Sequence, residues 1–141
     1  MFCKKITFKD FMGQERTQDF WFGLTQTDIT RLDTIIPGGL KAKLEGVMAR
    51  KDGQEIIDTF DMLIEKSYGV LSDDGVHFRH SPEIAAAFMD TNAYDKFFVE
   101  LVTDPNAAAA FVNGIMPPEF EKILKENEKN RLAEVANSAA N

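Results

Sequence analysis

The sequence predicts an α+β domain that is mostly α, in which an N-terminal β-hairpin packs on a bundle of short helices. Two patterns predict it: apolar and polar residues alternate near the N-terminus, and later apolar residues recur at helical spacing behind residues that favour helix starts. With 141 residues, 44% of them hydrophobic and 12 of them phenylalanine, the chain can bury one core. We therefore expect one domain over residues 1–117, followed by a trailing C-terminal helix.

The first predicted element is a β-hairpin over residues 2–24. Apolar and polar side chains alternate along both halves, as in strands with one buried face. Residues 10–14 form the predicted turn, because Gly13 can adopt a positive φ angle. An isolated hairpin is only marginally stable in water, so its apolar face must pack on the helices that follow. The alternating apolar residues are Ile6, Phe8, Phe20, Phe22 and Leu24.

Three helices are predicted over residues 25–68. The first begins at a capping box formed by Thr25 and Asp28, and the Pro-Gly-Gly sequence at residues 37–39 ends it. A second helix follows this break directly. The third helix, residues 54–68, has the clearest amphipathic pattern of the chain. Its apolar residues are Ile56, Ile57, Phe60, Leu63 and Ile64.

Residues 69–80 are the one irregular segment in the middle of the chain, and we expect a surface loop there. Ser-Asp-Asp-Gly at residues 72–75 is a strong turn signal. Val76 and Phe78 indicate a short strand or an extended loop.

Three further helices are predicted over residues 81–115. Ser81, Thr91 and Asp104 each resemble an N-cap, and proline follows the first and the last of them. The run at residues 107–110 is all alanine, which permits close helix approach. That approach is possible within the domain or between the protomers of a homo-oligomer.

Residues 118–141 are predicted to form a C-terminal amphipathic helix or a mobile tail. Helix propensity is high, but the apolar stripe is short and the last residues are small and polar. The stripe consists of Phe120, Ile123 and Leu124. These three side chains are the candidate partner-binding residues, and the alternative is a helix that only caps the domain.

The charge argues against two classes of partner, and the apolar runs and the single cysteine bear on where the protein is located. A formal net charge of −7 argues against nucleic acid and anionic membrane surfaces, because both require clustered Lys and Arg. No apolar run approaches the roughly 20 residues of a membrane-spanning helix, and the N-terminus lacks a signal-peptide pattern. A single cysteine, Cys3, allows no intramolecular disulfide. We therefore expect a cytoplasmic protein.

No catalytic, cofactor-binding or metal-binding constellation is visible, and we expect no enzyme activity. His77 and His80 are the only histidines, whereas zinc needs three or four converging ligands. Asp73, Asp74 and Gly75 indicate a tight turn rather than a calcium loop, since the terminal bidentate Glu is missing. The Phe-rich segments lack the interleaved Arg and Lys of a platform for single-stranded nucleic acid.

Three long segments of the chain resemble the tail assembly chaperones of long-tailed bacteriophages with non-contractile tails, the siphophage type. They are TFKDFMGQERTQDFWFGLTQTDI at residues 7–29, EIIDTFDMLIEKSYGVLSDDGVHFRHS at 55–81 and AYDKFFVELVTDPNAAAAFVNGIMP at 93–117. The resemblance covers roughly the first 117 residues in the same order as in that family, and the tail after Pro118 lies outside it.

This resemblance implies a non-catalytic protein made in an infected bacterium. It would bind and solubilise the phage tape measure protein and help to recruit tail tube subunits. It would act in the host bacterial cytoplasm and be absent from the mature virion. In many such phages a translational frameshift appends a second domain, which would extend the C-terminal helix. The alternative function is a structural virion subunit, such as a head–tail connector or tail terminator, which would stay in the particle.

Overall fold

A computed structural model describes residues 1–118 and confirms an α+β fold that is mostly α. Within this part of the chain, four strands form one antiparallel sheet and six helices follow or interrupt them. The strands are β1 (Phe2–Lys9), β2 (Glu15–Phe22), β3 (Tyr68–Leu71) and β4 (Phe78–Arg79). The helices are α1 (Gln26–Ile35), α2 (Leu40–Arg50), α3 (Gly53–Ser67), α4 (Pro82–Met89), α5 (Asn92–Thr103) and α6 (Pro105–Ile115).

The sheet is larger than the predicted hairpin, with strand order β1-β2-β3-β4. Tyr68 of β3 lies opposite Phe22, and β4 pairs with β3 in turn. Gly69 permits this packing, because a Cβ atom there would lie 2.7 Å from the ring of Phe78. Strands of four and two residues are too short to show an alternating pattern. The structure thus has β3 and β4 where the sequence predicts a surface loop, with a short strand at Val76 and Phe78 as one alternative.

The register of β1 on β2 turns one face of the hairpin towards the helices. The buried residues of this inner face are Ile6, Phe8, Phe20 and Phe22. On the outer face, polar residues lie opposite each other. Lys5 faces Asp19 there, and the hydroxyl oxygens of Thr7 and Thr17 are 2.9 Å apart. The predicted alternation is confirmed, and it leaves the sheet covered on one side only.

Phe22 lies at the centre of the core. Its side chain is fully buried, and rings from β3, α4, α5 and α6 surround it. The ring centroids lie 5.5 Å away for Tyr68, 5.7 Å for Phe88, 5.2 Å for Phe97 and 5.5 Å for Phe111. Tilted and edge-to-face pairs at such distances are favourable beyond the area that they bury. One side chain of the hairpin thus contacts a strand and three helices.

Two backbone hydrogen bonds fix the segment that leaves β2. The amide of Gly23 donates to the carbonyl of Ser67 at the end of α3, with an N···O distance of 2.8 Å. The amide of Leu24 donates to the carbonyl of Ile115 at the end of α6, also at 2.8 Å. The last carbonyls of a helix have no partner within the helix, so both bonds satisfy groups that would otherwise need water.

The predicted starts of four helices are confirmed by their capping bonds. Thr25 and Asp28 form both hydrogen bonds of a capping box at α1. Ser81, Thr91 and Asp104 accept hydrogen bonds from backbone amides in the first turns of α4, α5 and α6. Helices of eight to twelve residues are marginal in isolation, so these caps and the burial of one face together stabilise them.

Side chains of α5 cover part of the free edge of β1. The amine of Lys96 donates to the carbonyl of Thr7, and Nδ2 of Asn92 donates to the carbonyl of Lys9 over 2.9 Å. Both carbonyls lie on the edge that does not pair with β2, where another strand could otherwise add. The helix thus occupies hydrogen-bonding groups that an exposed edge would leave open.

Phe22→Ala should destabilise the domain by about 3–5 kcal/mol, because it removes a fully buried ring and leaves a cavity between four others. Urea unfolding followed by circular dichroism measures the loss. Val76→Ala is the control, since Val76 is 73% exposed and its truncation should change stability by less than about 0.5 kcal/mol. Equal unfolding midpoints for the two variants would contradict the central position of Phe22.

Ser67→Ala should stabilise the domain by up to about 1 kcal/mol. The Ser67 hydroxyl is fully buried and has no hydrogen-bond partner within residues 1–118, and such a group costs roughly 1–3 kcal/mol. The alanine variant keeps the backbone carbonyl of residue 67, which accepts the hydrogen bond from the amide of Gly23. In the same urea experiment, Ser81→Ala should instead cost about 1 kcal/mol, because it removes an N-cap oxygen. A destabilised Ser67→Ala variant would contradict the cost assigned to the unpaired hydroxyl.

Candidate functional site

The turn between β1 and β2 projects two large apolar side chains into solvent. We call residues 10–14 the hairpin tip. The amide of Gly13 donates to the carbonyl of Asp10 at 3.0 Å, and the amide of Asp10 donates to the carbonyl of Gln14 at 2.9 Å. Gly13 has a φ angle of +83°, as predicted for the residue that lets this turn close.

The carboxylate of Asp10 organises the hairpin tip. Its Oδ1 accepts from the amides of Met12 and Gln14, both at 2.9 Å, and its Oδ2 accepts from Nε of Arg16 at 2.7 Å. The hydrogen bond from Arg16, followed by those from the backbone amides, lowers the pKa of Asp10 below its ordinary value. The carboxylate is therefore charged at neutral pH and holds the backbone of the tip in one conformation.

Phe11 and Met12 are the exposed apolar pair of the hairpin tip. Phe11 is 77% exposed and Met12 is 88% exposed, the two highest values among the large hydrophobic residues that the structure describes. Single exposed apolar side chains are common on protein surfaces, but two adjacent ones on a well-bonded turn are not needed for the fold. An aromatic ring beside a flexible thioether suits contact with varied apolar surfaces.

A second feature is a groove of about 470 Å³ between α1, the last turn of α3 and residues 80–82. Buried Leu32 and exposed Ile35 line it from α1. Its charged lining residues are Asp28, Arg31, Glu65 and Lys66. The groove is wide enough to receive side chains, and its lining mixes apolar groups with charges of both signs.

The predicted partner-binding residues Phe120, Ile123 and Leu124 lie outside the described residues. The alanine run at residues 107–110 lies on α6, with Ala109 and Ala110 exposed, and both of its predicted roles stay open.

Groups that could carry out chemistry are scattered over the described part of the chain. His77 and His80 are both exposed. Between residues 1 and 118, no three His, Cys, Asp or Glu side chains lie together in a way that could hold a metal ion. Desolvation, followed by the carboxylate of Asp19, raises the pKa of the Cys3 thiol, which is the opposite of what an activated nucleophile requires.

A sequence model of the phage tail assembly chaperone family matches residues 1–141. The chain belongs to this family. The match confirms the resemblance of the three segments and extends it past residue 117, beyond the part that they indicated. Neither the curated proteins nor the solved structures contain a significant match to this chaperone.

Family membership implies that the partners of the chaperone are phage tail proteins in general. It also agrees with a non-enzymatic role. None of the helices described up to residue 118 combines the length and the apolar content needed to cross a bilayer.

The sequence identifies the turn of the candidate site but not its function. Apolar residues at 11 and 12 stand between Asp10 and Gly13, which are typical turn residues, and turns usually carry polar side chains. This departure from turn composition marks the pair in the sequence of the chaperone, but it does not show whether the two side chains point into solvent. The groove has no sequence signal, because its walls come from segments that are distant in the chain.

Acid should loosen the hairpin tip only below the ordinary pKa of an aspartate. Since the folded pKa of Asp10 is lowered, its contribution is fully present above the unfolded pKa and is lost as pH falls through the folded value. An NMR titration of the Met12 and Gln14 amides measures this midpoint. Asp10→Ala removes both acceptor oxygens and should give the loosened tip already at pH 7. A midpoint at or above the ordinary aspartate pKa would contradict the proposed bonding.

Proposed function

We propose that this protein is a non-catalytic chaperone that binds and solubilises the phage tape measure protein and helps to recruit tail tube subunits. It acts in the cytoplasm of the host bacterium and is absent from the mature virion of a siphophage. Membership of the tail assembly chaperone family supports the general role. The observation that carries the specific proposal is the exposed pair Phe11 and Met12 on a turn fixed by Asp10.

The geometry of the hairpin tip suits capture of an apolar partner. Because Asp10 and Arg16 already order the turn, little backbone entropy is lost when Phe11 and Met12 bind. Two side chains bury too little area to hold a partner permanently, so each contact can exchange. Many such contacts along a long apolar protein would prevent its aggregation and still allow its release to the tube subunits.

Phe120, Ile123 and Leu124 provide a second candidate contact in this proposal. Their spacing in the sequence places three apolar side chains within five residues. A chaperone with two separate apolar contacts gains avidity for a long partner, because the second contact forms at a high effective concentration once the first has formed.

Replacing both exposed residues of the tip, Phe11→Ser with Met12→Ser, should weaken capture of the tape measure protein at least about tenfold, the loss expected when a binding hot spot is removed. The assay is co-expression with the tape measure protein of the same phage, affinity capture and light scattering. The matched control is Met48→Ser with Val76→Ser, because these residues are 76% and 73% exposed but lie away from the tip.

Equal capture by the tip variant and the control variant would contradict a role of the hairpin tip in binding the tape measure protein. A tape measure protein that precipitates despite co-expression would contradict the chaperone function itself. Mass spectrometry of purified virions tests the location: recovery of this chain in the particle would favour a structural virion subunit, such as a head–tail connector or tail terminator. Light scattering of the chain alone also measures whether it forms a homo-oligomer.

A further inference from the structure

The groove beside α1 has the composition of a peptide-binding surface. Leu32 is only 4% exposed and gives the groove an apolar base, while Ile35, one turn further on, is 68% exposed. The side chains of Arg31 and Lys66 line the same groove and form no ion pair within residues 1–118. A groove lined by apolar and charged side chains fits a short amphipathic segment.

The end of the last described helix is hydrogen-bonded to the segment that leads into α1. The carbonyl of Ile115, at the end of α6, accepts from the amide of Leu24 at 2.8 Å, and Leu24 precedes α1 by only two residues. The carbonyl of Ser67, the residue after Lys66, is bound to Gly23 at 2.8 Å. The end of α6 is therefore bonded to the same short segment, Gly23 and Leu24, that binds the end of α3 and leads into α1.

The length of chain that follows is sufficient to reach the groove. Phe120, Ile123 and Leu124 all lie within six residues of Pro118. A chain spans at most about 3.5 Å per residue, so six residues reach roughly 20 Å. The ten residues of α1 extend over about 15 Å, a length that Ile123 and Leu124 can follow, whereas Phe120, two residues after Pro118, reaches only about 7 Å.

The charges of this segment complement those of the groove. The segment reads EFEKILKEN from residue 119, so acidic and basic residues both flank the apolar ones. Glu119 and Glu121 have the charge opposite to that of Arg31 and Lys66, which form no ion pair within residues 1–118. The basic residues of the same segment, Lys122 and Lys125, can face the acidic lining residues of the groove.

We propose that residues 119–125 dock in this groove within the same molecule, with Phe120, Ile123 and Leu124 against Leu32 and Ile35. Because the segment is tethered, its effective concentration at the groove is on the order of millimolar, so even a weak contact is populated. The regulatory consequence rests on the proposed function. A docked segment is not available to the tape measure protein, so the apparent affinity for that protein is reduced in proportion to the fraction of molecules whose segment is undocked.

Methyl NMR of the full-length protein tests the docking without any partner. The triple variant Phe120→Ser, Ile123→Ser and Leu124→Ser keeps the chain length and every charge. Relative to the unmodified chain, it should shift the methyl resonances of Leu32 and Ile35, while the methyl of Met48 on α2 stays unchanged. The difference should not depend on protein concentration, because the contact is intramolecular.

Two results would overturn the docking. One is an unchanged Ile35 resonance, or a change at Met48 as large as that at Ile35. The other is a shift that grows with protein concentration, which would place the segment of a second copy in the groove.

A second variant separates docking from the proposed function. Ile35→Ser removes the exposed wall of the groove, frees the segment and should strengthen capture of the tape measure protein about twofold if half of the molecules are docked. Met48→Ser is the matched control and should leave capture unchanged. If no variant captures the partner while the Ile35 methyl still responds to the triple substitution, the proposed function fails and the docking stands.

Discussion

The fold depends on how β2 ends. Phe22 is buried among rings from one strand and three helices, and the amides of the next two residues bind the last carbonyls of α3 and α6. Side-chain packing and backbone hydrogen bonding therefore meet in three consecutive residues. Sheet and helices cannot shift independently of this point without exposing a ring or leaving carbonyls unpaired. The hairpin is thereby fixed to the core at its base while its tip remains in solvent.

Most of the fold could be predicted because its signals are local. A cap such as Ser81 acts on amides within three residues, and the alternation along β1 and β2 reflects one buried face. β3 was not predicted, and β4 only as one alternative to an extended loop, because their pairing depends on Gly69 fitting under Phe78 and on a partner strand more than 45 residues earlier in the chain. Such contacts leave no periodic pattern in four or two residues.

The candidate site was less predictable than the fold. The turn at Asp10 and Gly13 was visible in the sequence, but the exposure of Phe11 and Met12 is a tertiary property. A ring in a turn can fold back on the sheet or point into solvent, and only the packing of the hairpin on the helices decides between them. The same argument applies to Ile35, an apolar residue at the end of α1 that is mostly exposed.

The coverage of the β1 edge has a consequence for reversibility. A protein with an exposed strand edge can form a shared β-sheet with an aggregation-prone chain. Each further residue pair adds backbone hydrogen bonds to such a sheet. Lys96 and Asn92 occupy two carbonyls of the edge at which such a ladder would start. At these two positions strand addition is blocked, and contacts with a partner have to be made by side chains. Two hydrogen bonds from α5 thus disfavour permanent strand addition at this edge.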